Sequence, residues 1–208
     1  MLAAEAGVNL QAIPYHFGSK EGLFLAAAEY IGSRILATLG PAHDRARARL
    51  GGKIEPAAAR SMLIDLLTAL AGLMLDESSA PIARFIVREQ MEPSEAFEHL
   101  YSRVMEPKLE LARKLVAVLI HADPRSTRAR LRTLSLIGSV IFLRTAHAAA
   151  MRQLGWSATG PREFAAVRAL IQENVACLAD AQDKDIKRGL RVSGPRANVS
   201  LADTEDEL

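Results

Sequence analysis

Cysteine is almost absent from this 208-residue chain, and long apolar runs are missing. Because Cys177 is the sole cysteine, the chain cannot form an internal disulfide or a cysteine-rich metal site, which suits a reducing compartment. The N-terminal segment has no basic start followed by an apolar run, and no later stretch approaches about 18 consecutive apolar residues. We therefore expect a cytoplasmic protein without a membrane span.

Aromatic residues are also scarce, at 5% of the sequence, and patterns typical of β-strands are rare. Half of the residues are hydrophobic, and Ala, Leu and Arg recur. This composition predicts an all-α fold, and the length allows a small domain joined to a larger one. The net charge of +2 is too small to indicate a nucleic-acid partner by itself.

The motifs of common enzyme classes are missing as well. The sequence has no Gly-x-Ser-x-Gly, no His-Glu-x-x-His and no glycine-rich phosphate loop after a strand. No two histidines are four residues apart; they are His16, His43, His99, His121 and His147. We expect no metal and no cofactor, and a small all-α enzyme is the less favoured alternative.

The most informative stretch is AGVNLQAIPYHFGSKEGLF, residues 6–24. Residues 2–6 are typical of the end of a helix, which Gly7 stops by accepting a positive φ. Asn9 is placed to cap a second, short helix over residues 10–17.

A third helix follows this pair. Gly18 ends the short helix, and Ser19 caps the next one, which is predicted to run to about Leu39. Two helices joined by a tight turn form a helix-turn-helix, whose second helix enters the DNA major groove. On helical periodicity alone, a plain helical corner is the commoner interpretation.

Residue identity favours the DNA-binding interpretation, because this stretch resembles the TetR family of transcriptional regulators. The matching residues are Leu2, Ala3, Ala6, Gly7, Val8, Asn9, Ile13, Tyr15, His16, Phe17, Lys20 and Leu23. The resemblance runs from Met1 to about Leu25 and implies an Ω-shaped homodimer that binds operator DNA through a three-helix head. The residues that it implies as DNA contacts are Asn9, Gln11, Ala12, Tyr15, His16 and Lys20.

Two departures from the family pattern affect this head. Pro14 cannot donate a backbone hydrogen bond, and we expect it to shorten the short helix. The family's first head helix, of about 8–20 residues, has no counterpart before Met1. We therefore expect a head without its first helix, through a misplaced start or a real truncation, and reduced or lost DNA binding by these 208 residues alone.

Composition changes divide the chain into four segments. They are a head with its linker helix at 1–39, a connection rich in glycine, proline and charge at 40–56, a helical body at 57–181, and a disordered tail at 182–208. The body helices are predicted over 57–75, 81–91, a Ser94-capped segment that Pro107 kinks or splits, 109–121, a longest helix at 125–154, and a last helix opened by Pro161.

Part of the body resembles the C-terminal domain of a CecR-like subgroup of these regulators. The resemblance rests on residues 81–90 (PIARFIVREQ), on Pro93, Phe97, Tyr101 and Pro107, and on residues 142–146 and 154–156. It implies a domain that binds a small-molecule effector and dimerises, without identifying the effector.

Charged and aromatic residues within apolar segments are the candidate effector contacts, because a buried charge needs a partner. The candidates are Met62, Arg84, Phe85, Arg88, Phe97, Tyr101, Phe142 and Arg144. An internal pair such as Glu89 with Arg144 explains the charges equally well, and core packing is the commoner role of the aromatic residues.

A helix-packing seam is expected in the longest predicted helix. It comprises Leu131, Leu134, Gly138, Ile141 and Thr145, which alternate by three and four. With the last helix, this seam is expected to form a four-helix dimer interface, internal packing being the alternative. The two resemblances together imply a ligand-responsive DNA-binding regulator, in this family most often a repressor, which its effector would release. The alternative is a ligand-binding dimer that has lost DNA binding.

Overall fold

The computed structural model describes residues 12–52 and 54–187, and every regular element within them is helical. The all-α prediction is confirmed. The helices are α1 (Ala12–Phe17), α2 (Lys20–Ala48), α3 (Pro56–Leu75), α4 (Ala80–Met91), α5 (Glu95–Leu100), α6 (Glu106–Leu119), α7 (Thr127–Thr145), α8 (His147–Leu154) and α9 (Pro161–Lys187). A 3₁₀ turn, Glu77–Ser79, precedes α4, and a wide π turn, Tyr101–Met105, joins α5 to α6.

Helix α3 is the central helix of the bundle. It packs against α2, α6, α7 and α9, because its surface is apolar nearly all round. Its Leu63 and Leu67 are buried with Leu115 and Val116 of α6 and Val175 of α9. Each such side chain contributes about 1.5–3 kcal/mol through burial, so this cluster supplies much of the bundle's stability.

A second core cluster joins α2 to the body. Ile31 and Ile35 of α2 are buried against Leu73 of α3, Leu100 of α5 and Val104 of the π turn. Length and hydropathy alone would also allow α2 and α3 to span a membrane. In this fold, protein packing accounts for the apolar residues that these two helices bury.

Helix α2 is longer than the sequence indicates. The prediction that it ends near Leu39 is wrong, since it continues through Gly40 and Pro41 to Ala48, into the segment that we expected to be a connection. Its buried residues in this extension are Ala42, His43 and Ala46. Their packing against the body outweighs the poor helix propensity of the Gly-Pro pair.

The helix predicted over residues 125–154 is in fact two helices. Helix α7 ends at Thr145, and α8 follows at an angle of 90°. The break is at Ala146, whose φ of −109° and ψ of 36° are not helical. Neither proline nor glycine lies at this position, so the break has no local sequence signal. The longest described helix is α2, with 29 residues.

Serine caps and prolines do begin several helices where the sequence predicts. The Ser19 Oγ accepts a hydrogen bond from Gly22 N at 3.1 Å, and the Ser94 Oγ accepts one from Ala96 N at 3.2 Å. Pro161 begins α9. Pro107 lies in the first turn of α6, directly after the π turn, where its missing N–H has no helical partner to lose.

Both ends of the predicted organisation extend beyond the described residues. The helix expected over residues 2–6 and the turn at Gly7 lie outside them. At the other end, α9 continues to Lys187, beyond the point at which we expected a disordered tail to begin. The remainder of that predicted tail, residues 188–208, also lies outside the described part of the chain.

Candidate functional site

The short helix α1 and the start of α2 present polar side chains to solvent. Tyr15 is 84% exposed, and His16 and Lys20 are exposed as well. The rings of Tyr15 and His16 meet edge to face, with centroids 4.8 Å apart. The helix continues past Pro14 to Phe17, so the proline does not end it.

The other predicted DNA contacts are less well defined. Ala12 is the first described residue of α1. Asn9 and Gln11 lie outside the described residues.

The turn between α1 and α2 depends on two glycines. Gly18 has a φ of +73°, which favours glycine, and its N–H donates to Pro14 O at 3.0 Å. A Cβ at Gly22 would lie 2.0 Å from Phe17 O, so only glycine allows the first turn of α2 to approach α1 this closely. Gly22 was not among the predicted residues, although a glycine in the first turn of an otherwise well-formed helix is a usable signal.

The start of α2 favours negative charge. The pKa of Glu21 lies below its usual range, first because its carboxylate accepts a backbone hydrogen bond at the helix start and second because of the Ser19 hydroxyl. Lys20 adds a smaller favourable charge interaction. The N-terminal end of a helix that begins with an exposed lysine suits contact with a DNA phosphate.

A cavity of about 180 Å³ lies within the body, between α2, α3, α4, α6 and α7. Most of its wall is aliphatic: Ile35, Leu39, Leu66, Leu67, Leu70, Leu73, Met74, Ile82, Ala83, Ile86, Val87, Val104, Met105, Leu109, Ala112, Ile137 and Ile141. Its polar lining residues are His43, Ser79, Gln90, Lys108, Arg144 and Thr145. An apolar cavity with a few polar groups is the usual form of a small-molecule site.

Lys108 places an ammonium group at this apolar wall. Its side chain is half-buried, and Nζ donates to Val104 O of the preceding turn at 3.3 Å. Burial lowers the pKa of Lys108, and the exposed carboxylate of Asp44 opposes this only in part. Lys108 was not among the predicted residues, but its helical spacing from the apolar Val104 and Leu111 was a usable signal.

Arg144 is the predicted effector residue that lines the cavity, and its guanidinium is held by backbone carbonyls. Its Nε donates to Met74 O at 2.6 Å and its Nη2 to Asp76 O at 2.7 Å, at the end of α3. The alternative pair with Glu89 does not form, because that buried carboxylate accepts a hydrogen bond from the Ser94 hydroxyl instead. Arg144 therefore closes the C-terminal end of α3.

The remaining predicted effector residues lie away from the cavity wall. Met62 belongs to the main core, because it is on the buried face of the central helix. Phe97 stacks on Tyr101, with ring centroids 5.8 Å apart. Phe142 is exposed on α7, and Phe85 faces α2. Helical periodicity identified apolar faces, but it did not show which face borders the cavity.

Arg84 and Arg88 line a second, wider depression of about 770 Å³ on the surface. Glu92 and His147 are also part of its wall, and it shares Arg144 and Thr145 with the cavity. Among residues 12–52 and 54–187, no three His, Cys, Asp or Glu side chains come together as a metal site would require.

Helix α4 contacts both the cavity and the start of α2. On one face, Ile82 and Ile86 line the cavity. On the other, Phe85 stacks on Phe24 of α2, with ring centroids 5.9 Å apart, and the Arg88 guanidinium lies 4.6 Å from the Phe24 ring centroid. Lys20 Nζ lies 5.9 Å from the same centroid. A shift of α4 would therefore reach the exposed head residues directly.

Helices α7 and α9 leave adjacent apolar surface exposed. Leu131 and Leu134 of α7 are 61% and 56% exposed, and Leu170 of α9 is exposed too. A Cβ at Gly138, on the same seam, would meet no atom within 4 Å. Large contiguous apolar surfaces on proteins commonly bind a partner.

The chain is similar to known families and proteins. Residues 1–27 match the family model described as bacterial regulatory proteins, tetR family, and residues 59–182 match that of the C-terminal domain of the HTH-type transcriptional dual regulator CecR. Over 181 residues, the chain is 31% identical to the HTH-type transcriptional dual regulator CecR of Shigella flexneri, covering 86% of this chain and 79% of that protein.

A second relative is more distant. The chain is 28% identical over 142 residues to the HTH-type transcriptional regulatory protein RaaS of Mycobacterium tuberculosis (strain ATCC 25618 / H37Rv). That alignment covers 68% of this chain and 58% of the relative.

Proposed function

The chain belongs to the TetR family of transcriptional regulators and carries a CecR-type C-terminal domain, and from this premise we propose how it regulates transcription. It is a DNA-binding transcriptional regulator. We propose that it acts in the cytoplasm as a homodimeric repressor, which leaves its operator when a small molecule enters the cavity in the body. Its relatives are transcriptional regulators rather than enzymes.

The observation that carries this proposal is the double contact of α4. Ile82, Ala83 and Ile86 of this helix line the cavity. On its other face, Phe85 and Arg88 contact the ring of Phe24 near the start of α2. A ligand that fits the cavity better when α4 is displaced would favour a conformation with a displaced head. Because operator half-sites are spaced by whole helical turns of about 34–36 Å, two heads that move apart no longer match both of them.

DNA recognition is assigned to the exposed residues around the turn between α1 and α2. Tyr15 and His16 of α1, with Asn9, Gln11 and Ala12 before them, are the proposed contacts of the recognition helix. Lys20 is the proposed phosphate contact, because its exposed ammonium group lies at the N-terminal end of α2. The exposure of Tyr15, His16 and Lys20 in the described head is consistent with these roles.

The dimer interface is assigned to α7 and α9. Leu131, Leu134 and Leu170 are large apolar residues on neighbouring exposed surfaces, and Gly138 leaves room for close approach. A two-fold axis beside them would bury the same residues of both subunits in a four-helix interface.

Chromatin immunoprecipitation tests DNA binding by the protein as the cell makes it. The protein carries a C-terminal tag at its own chromosomal locus, and the co-purified DNA is sequenced. We expect a small set of enriched sites, lost in Lys20→Ala and kept in Arg47→Ala, which removes an exposed cation from the far end of α2. Equal enrichment of those sites in Lys20→Ala would overturn the phosphate contact, and no enrichment in wild type would overturn the DNA-binding role.

A further inference from the structure

Lys108 is the feature of the cavity that apolar packing does not explain. We propose that the cavity binds an aliphatic carboxylate, with its chain against the aliphatic wall and its anionic group paired with Lys108 Nζ. This inference rests on the proposed function, because it names the ligand class of the same cavity.

The wall chemistry favours a flexible aliphatic ligand. No phenylalanine, tyrosine or tryptophan is among the residues that line the cavity, so no large aromatic face is available for stacking on a planar ring. The volume of about 180 Å³ is below the roughly 300–1,000 Å³ of drug-sized sites. A chain of medium length suits that space better than a fused-ring molecule does.

The charge of the lining favours an anion over a cation. None of the residues that line the cavity in the described part of the chain is acidic. The carboxylate that acts on Lys108, that of Asp44, is exposed to solvent and lies 3.3 Å from His43 Nδ1. His43 and Arg144 are already engaged, the first with Asp44 at 3.3 Å and the second with two backbone carbonyls. Arg144 uses two of its five N–H donors, but the backbone carbonyls that accept them hold its guanidinium at the end of α3. Lys108 uses one of its three donors, in one long hydrogen bond within its own helical region.

Lys108 has more hydrogen-bond donors than its one hydrogen bond uses. An ammonium group has three donors, and the hydrogen bond to Val104 O at 3.3 Å is long and uses one of them. Burial lowers the pKa of Lys108, so its charged state is less favourable there than in water. A carboxylate within hydrogen-bond distance would reverse that preference, so the site gains most from an anionic occupant.

Titration calorimetry with three eight-carbon probes tests the proposal on the full chain. The probes are octanoate, the neutral octan-1-ol and the cationic octylamine, which share the chain and differ in the head group. Wild type is compared with Lys108→Met and with Lys114→Met, a control on the exposed face of the same helix whose lysine pairs with Glu110 at 2.8 Å. We expect octanoate to bind wild type and Lys114→Met alike, and Lys108→Met about 10- to 100-fold more weakly. Octan-1-ol should not distinguish the three proteins.

Thermal melting separates a ligand contact from a structural role. Lys108→Met replaces a half-buried ammonium with an apolar side chain, so its melting temperature should equal or exceed that of wild type. A decrease of several degrees, with unchanged octanoate affinity, would make Lys108 a structural residue and overturn the proposal. Octylamine binding as tight as octanoate binding in wild type would overturn it too.

A cavity-filling variant distinguishes failure of this inference from failure of the proposed function. Ile137→Trp, and Leu70→Phe as a milder second variant, reduce the space at the cavity wall. One outcome is that octan-1-ol binding is lost in these variants while the affinity for octanoate is the same in Lys108→Met as in wild type. In that case the cavity remains the ligand site, and only the carboxylate claim fails. If all probe binding persists in both folded variants, the probes bind elsewhere, and both proposals lose their site.

Discussion

Phe24 of α2 and Phe85 of α4 stack with their ring centroids 5.9 Å apart and their planes inclined by 30°. Phe24 follows Lys20 by one helical turn, and Phe85 directly precedes the cavity-lining Ile86. Few side chains therefore separate the proposed phosphate contact from the proposed ligand. In a close-packed interior, such a contact transmits a displacement of one helix to the next.

Removing one ring of this pair should weaken the coupling between ligand and DNA. Phe85→Ala loses the stack on Phe24, worth about 0.5–1.5 kcal/mol beyond burial, so octanoate should lower operator affinity less than it does in wild type. Fluorescence anisotropy with operator DNA recovered from the cell measures this change. Phe97→Ala is the matched control, because it breaks the Phe97–Tyr101 stack, away from the cavity wall. A full octanoate response in Phe85→Ala would rule out this path.

A methyl group at the turn between α1 and α2 should disable the head and spare the body. In Gly22→Ala, the new Cβ would lie 2.0 Å from Phe17 O, so the two helices must separate. Operator affinity should fall about tenfold or more, since misplaced contacts cost about 1–3 kcal/mol. Gly72→Ala is the control: its Cβ meets Phe164 at an ordinary 3.8 Å, and stability should rise by about 0.5–1 kcal/mol. If Gly22→Ala bound operator DNA as tightly as wild type, separation of α1 and α2 would not impair recognition.

Arg144 should behave as a structural residue, in contrast to Lys108. Arg144→Met leaves the carbonyls of Met74 and Asp76 without their donors, and we expect a loss of about 2–4 kcal/mol in the free energy of unfolding. Arg144→Lys should recover only part of it, because an ammonium lacks the planar fork that reaches both carbonyls. Urea unfolding measures both. The control Arg152→Met removes an exposed arginine of α8 and should stay within about 0.5 kcal/mol.

If Arg144→Met instead unfolds like wild type and loses octanoate binding, this arginine is a ligand contact. The assignment of its role to the end of α3 would then be wrong.

A charge in the exposed seam of α7 should break the proposed dimer. Leu134→Glu places a carboxylate where two copies of α7 and α9 would meet, and burying it unpaired costs several kcal/mol. Size-exclusion chromatography with light scattering should then report a folded monomer, whereas we expect wild type to elute as a dimer. Leu36→Glu, at a similarly exposed leucine of α2, should stay dimeric. A Leu134→Glu dimer would exclude this seam as the interface.

Sequence signals with a local cause predicted the helix starts well. Ser19 and Ser94 cap helices through hydrogen bonds within a few residues, and Pro161 suits a first helical position whatever the tertiary fold. The all-α class followed in the same way from the absence of strand patterns. These features depend on neighbours in sequence, which the sequence displays directly.

Features with a tertiary cause were missed. Helix α2 continues through Gly40 and Pro41 because Ala42 and Ala46 are buried against the body. The break at Ala146 follows Arg144, whose partners lie about 70 residues earlier in the chain. Local propensity carries no information about such contacts, so the predicted positions of the helix ends that depend on them were wrong.

The cavity could be predicted from the sequence only in part. Its wall combines five helices, and periodicity could show that each has an apolar face but not which faces enclose a space. Hence Phe97 and Phe142 were candidates without lining it, whereas Lys108 was overlooked. The predicted DNA contacts came from residue identity in a family motif, which is why Tyr15, His16 and Lys20 could be named before their exposure was known.

Reciprocal binding tests the central claim, that cavity occupancy and DNA binding oppose each other, most directly. The dissociation constant of octanoate is measured with and without saturating operator DNA, and that of the operator with and without saturating octanoate. The account predicts that each ligand weakens the other by the same factor, in the range of about 5–150-fold. If octanoate occupies the cavity and operator affinity does not change, α4 does not link the two sites, and the account is contradicted.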